Sequence, residues 1–237
     1  MNILTIDTSS IVASVAIGDE QKLIAEYTIN HKKTHSQKLL PMVDEMLKSC
    51  DLKAKDIDVF GVSLGPGSFT GLRIGITTTK VMAQALDKPV VGISTLEGLA
   101  YNVPYFGGLI CPIIDAQRES VYSAIYSWKD NELQTSREAD VLEINDLINI
   151  LKDMNRQVIF LGDGVEKFKP IIDDNIPEIS SFATSNLMFP RAGAILELVR
   201  KKYEHGLFNK AHEILPIYMR KSQAEVQYEA RMMSCEG

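Results

Sequence analysis

A short apolar run, Val59 to Leu64, passes through Gly65-Pro66-Gly67-Ser68 and straight into a helix-like segment that begins near Thr70. No other stretch limits the fold as tightly. Glycine tolerates backbone angles that other residues resist and proline fixes its own, so the chain turns sharply at the end of a strand and opens a helix with free N–H groups. Such an opening attracts anions, which makes phosphate the first ligand to weigh. The specific phosphate motifs do not follow, because Walker A ends in Gly-Lys-Ser/Thr and the dinucleotide fingerprint needs glycine where Thr70 stands. A strand-to-helix turn without a ligand fits the same residues, and the loop alone leaves the two open.

The surrounding pattern is that of an α/β protein. Ile3 to Asp7, Val12 to Ile17 and Leu23 to Thr28 are short apolar or alternating runs separated by polar turns, as in three successive antiparallel strands. From about Ser36 to Ser49, Leu39, Met42, Val43, Met46 and Leu47 recur with helical spacing while Lys38, Asp44, Glu45 and Lys48 face away. The strand at Val59 to Leu64, a helix from about Thr70 to Leu86, a strand at Val90 to Ile93 and a helix near Leu96 to Tyr101 give the order β-β-β-α-β-α-β-α. Asn102 to Gly108 marks a boundary. Beyond it come strands at Leu109 to Ile114 and Val121 to Trp128, a helix near Ile144 to Met154, a strand at Val158 to Leu161 and a helix from about Arg191 to Glu204. Alternation of this kind implies mixed sheets flanked by helices, with the second domain shortened. The expected domains are residues 1–104 and 105–222, with the helix near 191–204 free to pack back on the first, and a tail at 223–237 that carries no apolar stripe.

No apolar run approaches the roughly 20 residues that span a bilayer. The chain enters its first strand with no basic region before it, so a cytoplasmic protein with no membrane partner is expected. Cys50, Cys111 and Cys235 are far apart and form no Cys-x-x-Cys, which fits a reducing compartment. The net charge of −6 opposes nucleic-acid binding by the chain alone, since that affinity draws on clustered Lys and Arg. Lys32-Lys33 and Arg200-Lys201-Lys202 are short basic runs, and both suit a solvated face.

Candidate chemistry is sparse. There is no Gly-x-Ser-x-Gly elbow and no His-Glu-x-x-His. His31 and His35 stand four apart, but Lys32 and Lys33 between them repel a cation, and His205 and His212 are isolated. Asp7 ends the first strand, where it suits a carboxylate that caps the turn at Thr8-Ser9. Asp163, in Gly162-Asp163-Gly164 after an apolar run, suits an ordinary strand-ending turn.

The helix after the glycine loop is apolar on most of its circumference. Leu72, Ile76, Met82 and Leu86 line one side, Ile74, Thr77, Val81 and Ala85 the other, and Arg73 and Lys80 are its only charges. One sheet face cannot cover both sides, so a second partner is required. Gly67, Gly71 and Gly75 recur every four residues, and an in-helix glycine costs up to about 1 kcal/mol, which implies close packing in return. That packing falls either on the helix at Ser36 to Ser49 or on a second subunit.

Five blocks, taken together, carry a resemblance. They are Ile3-Leu4-Thr5-Ile6-Asp7-Thr8-Ser9, His35-Ser36-Gln37-Lys38-Leu39-Leu40-Pro41, the glycine loop, Asp115-Ala116-Gln117-Arg118-Glu119-Ser120-Val121-Tyr122 and Leu215-Pro216-Ile217-Tyr218-Met219-Arg220. In this order they resemble the bacterial TsaB (YeaZ) family, with Gln117 departing from that family's Asp-Ala-Arg-Arg pattern. The resemblance implies an actin-like (ASKHA) two-domain fold. It also implies a subunit of the machinery that places threonylcarbamoyl on the adenosine beside the anticodon of tRNA. The active site then lies on a TsaD-like paralogue, a TsaE-like P-loop ATPase joins the assembly, and tRNA is held mainly by the complex. The paralogue's metal-binding His-x-x-x-His pair corresponds here to Thr95 and Leu99, which are poor ligands or none. No tightly bound cofactor is expected on this chain, with ATP and metal on the partner subunits.

The resulting expectation is a non-catalytic scaffold and activator. Leu39, Val43, Met46, Ile74, Thr77 and Val81 form the partner interface, Arg73 lies on its rim, and the chain makes a homodimer when alone. The alternative, which the resemblance to actin-like ATPases implies through an aspartate at the end of the first strand and a turn like that at Asp163, is a magnesium- and ATP-dependent phosphotransferase that uses Asp7, the Gly65–Gly75 loop (Gly65 and Gly67 above all) and Asp163 around the nucleotide. A peptidase would need a nucleophile pair or a zinc set, and the sequence offers neither.

Overall fold

The computed structural model describes residues 1–31 and 35–220. The Lys32-Lys33 pair and the tail expected at 223–237 lie outside these residues. Strands β1 (Ile3–Asp7), β2 (Val12–Gly18) and β3 (Leu23–Asn30) form an antiparallel meander, and β4 (Val59–Gly65) and β5 (Val90–Ser94) add to it in parallel, in the order β3-β2-β1-β4-β5. Strands β1 and β2 are buried along their whole length because helices cover both faces of the sheet, whereas the edge strand β3 is mostly open. Strands β6 (Leu109–Asp115), β7 (Ser120–Lys129), β8 (Glu132–Glu143), β9 (Val158–Leu161) and β10 (Ser180–Phe182) repeat the plan in the order β8-β7-β6-β9-β10. The second copy keeps five strands, and its brevity lies in β9 and β10, of four and three residues.

Helices α1 (His35–Ser49) and α2 (Phe69–Leu86) cover one face of the first sheet. Helix α3 (Thr95–Tyr101) instead places Leu96, Leu99 and Ala100 against Ile110, Ile114 and Tyr122 of the second sheet. Helices α4 (Ile144–Met154) and α5 (Gly164–Asn175) cover that sheet's other face. Helix α6 (Ala192–Glu204) returns to the first sheet and buries Ile195, Leu196 and Val199 with Ile3, Val59 and Ile93. Side chains of that size are worth about 1.5–3 kcal/mol each when fully buried. A boundary at residue 104 therefore divides the chain but not its cores, since each half lends a helix to the other.

Polar groups fix the start of α6. Thr5 Oγ1 donates to the Ala192 carbonyl (2.8 Å), Ser14 Oγ accepts the Ala192 N–H (3.0 Å), and Glu26 accepts the Gly193 N–H (2.9 Å) while pairing with Arg191. Sheet side chains thus satisfy helix-start donors that a local cap would otherwise take.

The segment after α6 runs back along α2. Asn209 and Val90 exchange two backbone hydrogen bonds (2.8 and 2.9 Å), and Ala211 and Ile214 enter the first core. Lys80 Nζ donates to the carbonyls of His212 (3.3 Å) and Ile214 (2.9 Å), and the Ile217 N–H donates to Leu64 of β4 (2.7 Å). Arg220 then reaches the Ala116 carbonyl in the second half (2.6 Å). Part of the second cover that α2 requires is therefore this strap from its own chain.

Three elements were not expected from the pattern. Strand β8 is an edge strand with most residues exposed, so its sequence lacks apolar alternation, and β10 is too short for any periodicity. Helix α5 buries Val165, Phe168 and Ile172 at helical spacing, but Gly162, Gly164 and Pro170 make the same stretch read as a turn.

The glycines of α2 have a definite cause. A Cβ at Gly71 would stand 2.0 Å from the Thr8 carbonyl oxygen, and one at Gly75 would stand 2.3 Å from Thr8 Oγ1. The helix can lie on the β1–β2 turn only where it has no side chains. Gly71→Ala is expected to lower stability by about 3 kcal/mol or more even though alanine is the better helix former. Gly107→Ala, where a Cβ meets nothing within 4 Å, should change it little. Thermal melting of the two variants decides.

Candidate functional site

In sheets of this type ligands gather beyond the carboxyl ends of the strands. The turn after β1, the glycine loop after β4, the turn after β6 and Asp163 after β9 occupy those ends.

Asp7 is buried, and its oxygens are occupied. Oδ1 accepts the Ser9 N–H (3.0 Å) and Ser9 Oγ (2.9 Å), and Oδ2 accepts a short hydrogen bond from Ser63 Oγ. Burial raises its pKa above the ordinary carboxylate value, opposed in part by the hydrogen bonds from Ser63 and Ser9 and by His35. The carboxyl ties the β1–β2 turn to β4.

The glycine loop, read from sequence either as an anion site or as a turn without a ligand, packs against the protein itself. The Ser68 N–H donates to Ser9 (2.7 Å), the Gly71 N–H to Ser68 Oγ (3.2 Å), and Thr8 Oγ1 to the Gly71 carbonyl (2.7 Å). A Cβ at Gly67 would stand 2.2 Å from the Ser9 carbonyl oxygen. Gly65, at φ +118, is required by the turn itself and lies 2.6 Å, measured from its virtual Cβ, from the carbonyl oxygen of Ile217 in the strap. Gly65 and Gly67 thus serve packing where the alternative reading set a nucleotide cleft.

Asp163 accepts the Asp115 N–H (3.0 Å), and Asp115 Oδ1 accepts the Gln117 N–H (2.9 Å) and Lys167 Nζ (3.0 Å). Burial, and secondarily the nearby Asp115 carboxylate, holds the Asp163 pKa above its usual range. Gln117, Arg118 and Glu119 form a turn with three successive left-handed residues, at φ 65, 51 and 64. The structure brings Asp163 to Asp115 and Asp7 to Ser63. No hydrogen bond joins Asp7 to Asp163.

Thr95 and Leu99, at the position of the metal pair, are buried on α3. His35 Nε2 lies 2.8 Å from the Ser10 carbonyl, and His31, His35 and Lys38 line a shallow pocket of about 270 Å³ with Ile11, Ala13 and Ile29. No three His, Cys, Asp or Glu side chains gather as a metal set among the described residues.

The expected interface separates into two groups. Leu39, Val43 and Met46 are buried in the first core, so they cannot also meet a partner: a single helical stripe faces only one way. Ile74 is half-buried against the same core. Thr77 and Val81 point outward, Val81 with 61% of its surface exposed. Arg73 is exposed, donates to Tyr218 OH (2.9 Å) and lies over the rings of Tyr218 and Phe69, which stack at 4.5 Å. Leu40 of α1, 56% exposed, was missed, although helical spacing sets it off the Leu39 stripe.

Comparison with known proteins agrees with this architecture. The sequence model of the family described as "TsaD: tRNA N6-adenosine threonylcarbamoyltransferase" matches residues 22–228. A Pseudomonas aeruginosa structure described as an uncharacterized protein with similarity to peptidase YeaZ superposes with TM-score 0.78 at 25% identity, over 92% of this chain and 99% of that one. The class is thus a two-domain actin-like α/β protein of the threonylcarbamoyltransferase group. TsaB of Bacillus subtilis, a tRNA threonylcarbamoyladenosine biosynthesis protein, is 36% identical over 228 residues, 96% of this chain and 98% of its own. TsaB of Escherichia coli K12 is 25% identical over 94% of this chain and 96% of its own. The chain belongs to the TsaB family.

A buried acid with a raised pKa stabilises the fold most when protonated, and that contribution is lost as pH rises through the folded-state pKa. Asp7→Asn is therefore expected to melt at or above the parent at pH 7.5, with the difference shrinking toward pH 4. Melting curves across that range test it, and a variant that unfolds at every pH would show that the charge itself is required.

Proposed function

We propose that this chain is a non-catalytic subunit of the tRNA threonylcarbamoyladenosine machinery, supporting a TsaD-like catalytic paralogue that it meets through the outer ridge of α2. The observation that carries the proposal is a division of labour along α2. Its glycine face is covered by the β1–β2 turn, the Ser68 and Gly71 N–H groups go to Ser9 and to Ser68 Oγ, and Thr77 and Val81 are left open with Arg73 at their edge. Leu40 extends the apolar exposure to α1. An exposed ridge of this kind fits a protein interface, either with the paralogue or, in its absence, with a second copy of this chain.

The phosphotransferase alternative draws no support from Asp7 or the glycine loop, whose groups are committed within the fold. Peptidase chemistry fares no better: burial pushes the Cys111 thiol up to about 12, far from a reactive thiolate. ATP, metal and the threonylcarbamoyl donor are assigned to the TsaD-like and TsaE-like partners.

Val81→Glu places an unpaired charge in either interface at a cost of several kcal/mol, so the Kd for the paralogue should rise about a hundredfold or more while the monomer still folds. Size-exclusion chromatography with light scattering, together with thermal melting, reads both outcomes. An unfolded variant would place Val81 in the core, and unchanged pairing would place the interface elsewhere.

Alone, the chain should bind tRNA weakly at physiological salt and turn over ATP no faster than buffer, whereas the assembled complex should bind tRNA well. Magnesium-dependent hydrolysis by the lone chain, abolished in Asp7→Ala, would restore the phosphotransferase.

A further inference from the structure

An aromatic cluster stands apart from the cleft and from α2. Trp128, the only tryptophan of the chain, lies near the end of β7 and donates its indole N–H to the Val103 carbonyl (3.0 Å), which fixes the ring. Tyr101 and Tyr105 pack on it with ring centroids 5.2 and 5.0 Å away, tilted by 56° and 45°. Lys201 of α6 holds its ammonium 5.5 Å from the centre of the Tyr101 ring. Its neighbour Lys202 is drawn to Glu97 (2.8 Å), but Lys201 makes no ion pair among the described residues.

Tyr105 is the unusual member. It follows Pro104 at φ 59, a left-handed position that suits glycine or asparagine and disfavours a bulky aromatic. The residue is also 67% exposed, so packing on Trp128 covers only part of it. Strained residues that present a side chain outward are candidates for ligand contact.

We propose that Tyr105, Trp128 and Lys201 form a stacking platform for an unpaired RNA base. Flat aromatic faces stack on any base, and a free ammonium beside them answers the adjoining phosphate. A protein partner is the weaker match, because among the described residues from 82 to 206 Tyr105 is the one large hydrophobic side chain left exposed, with no exposed aliphatic beside it in sequence. The platform also suits an acidic protein. Stacking needs no broad positive field, so a chain of net charge −6 can add to the grip of a tRNA-modifying assembly without a basic patch. The inference rests on that assembly acting on RNA, and its test is independent of pairing and of modification activity.

The indole of Trp128 is a built-in reporter. The full chain is titrated with a single-stranded heptamer of adenylate, with tryptophan emission excited near 300 nm. Saturable quenching is expected, with the affinity at least fivefold weaker in Tyr105→Ala and in Lys201→Glu and retained in Tyr105→Phe. Stacking supplies most of the grip, so log K should fall with log salt at a slope no steeper than about −0.7, the share of one phosphate on a single strand. A duplex of the same length should not quench. Absence of saturable quenching, equal quenching by duplex, or an unchanged Tyr105→Ala that melts like the parent would each overturn the platform. Quenching that arises only when a protein partner is added would assign the rings to a protein interface instead.

Discussion

The approach of α2 to the turn between β1 and β2 sets the terms for the first half of the molecule. Virtual Cβ atoms at Gly67, Gly71 and Gly75 fall 2.0 to 2.3 Å from atoms of Thr8 and Ser9. Contact that close fixes the helix rotationally, which decides that Leu72, Ile76 and Ala83 face the sheet while Thr77 and Val81 face out. Beneath the same turn Asp7 is buried, its carboxyl held between Ser9 and Ser63. One steric fact therefore settles which groups are spent on the fold and which remain for a partner.

The halves are bound together by exchange. Helix α3 completes the second sheet and α6 the first, and the strap after α6 touches β5, α2, β4 and finally the turn after β6. The Glu26 carboxylate shows how specific the exchange is, since it caps a helix that enters 165 or more residues later in the chain. A slide of α6 along the sheet would break that cap together with the Thr5 and Ser14 contacts.

The first half was legible because its elements carry clean periods. Alternating or continuous apolar runs gave β1 to β5, and the Leu39-Met42-Val43-Met46 stripe gave α1. That same stripe was also assigned to a partner, an assignment the geometry rejects because the sheet already uses it. For α2, the need for a second cover was correctly read, but part of the cover is the strap, whose residues 207–220 have no helical or strand period to reveal them. The glycine spacing did announce close packing. Sequence pointed to another helix as the neighbour, whereas the neighbour is a backbone turn that becomes visible only when β1 and α2 are placed side by side. The return of α6 to the first sheet was allowed for in the sequence, but the crossing of α3 to the second was not, since a buried helix reads the same whichever sheet buries it.

The Thr5 to Ala192 hydrogen bond spans 187 positions. During synthesis, the face of the first sheet that α6 will cover emerges long before α6 does. From the end of β5 at residue 94 to residue 192, at roughly 5–20 residues per second, the interval is about 5–20 s. Throughout it, Ile3, Val59 and Ile93 lack their final neighbours, and the first half is a sheet with one greasy side bare. Ribosome-bound chains truncated before residue 192 should accordingly be clients of chaperones that hold apolar surface, and the first half is completed only after every strand of the second has been made.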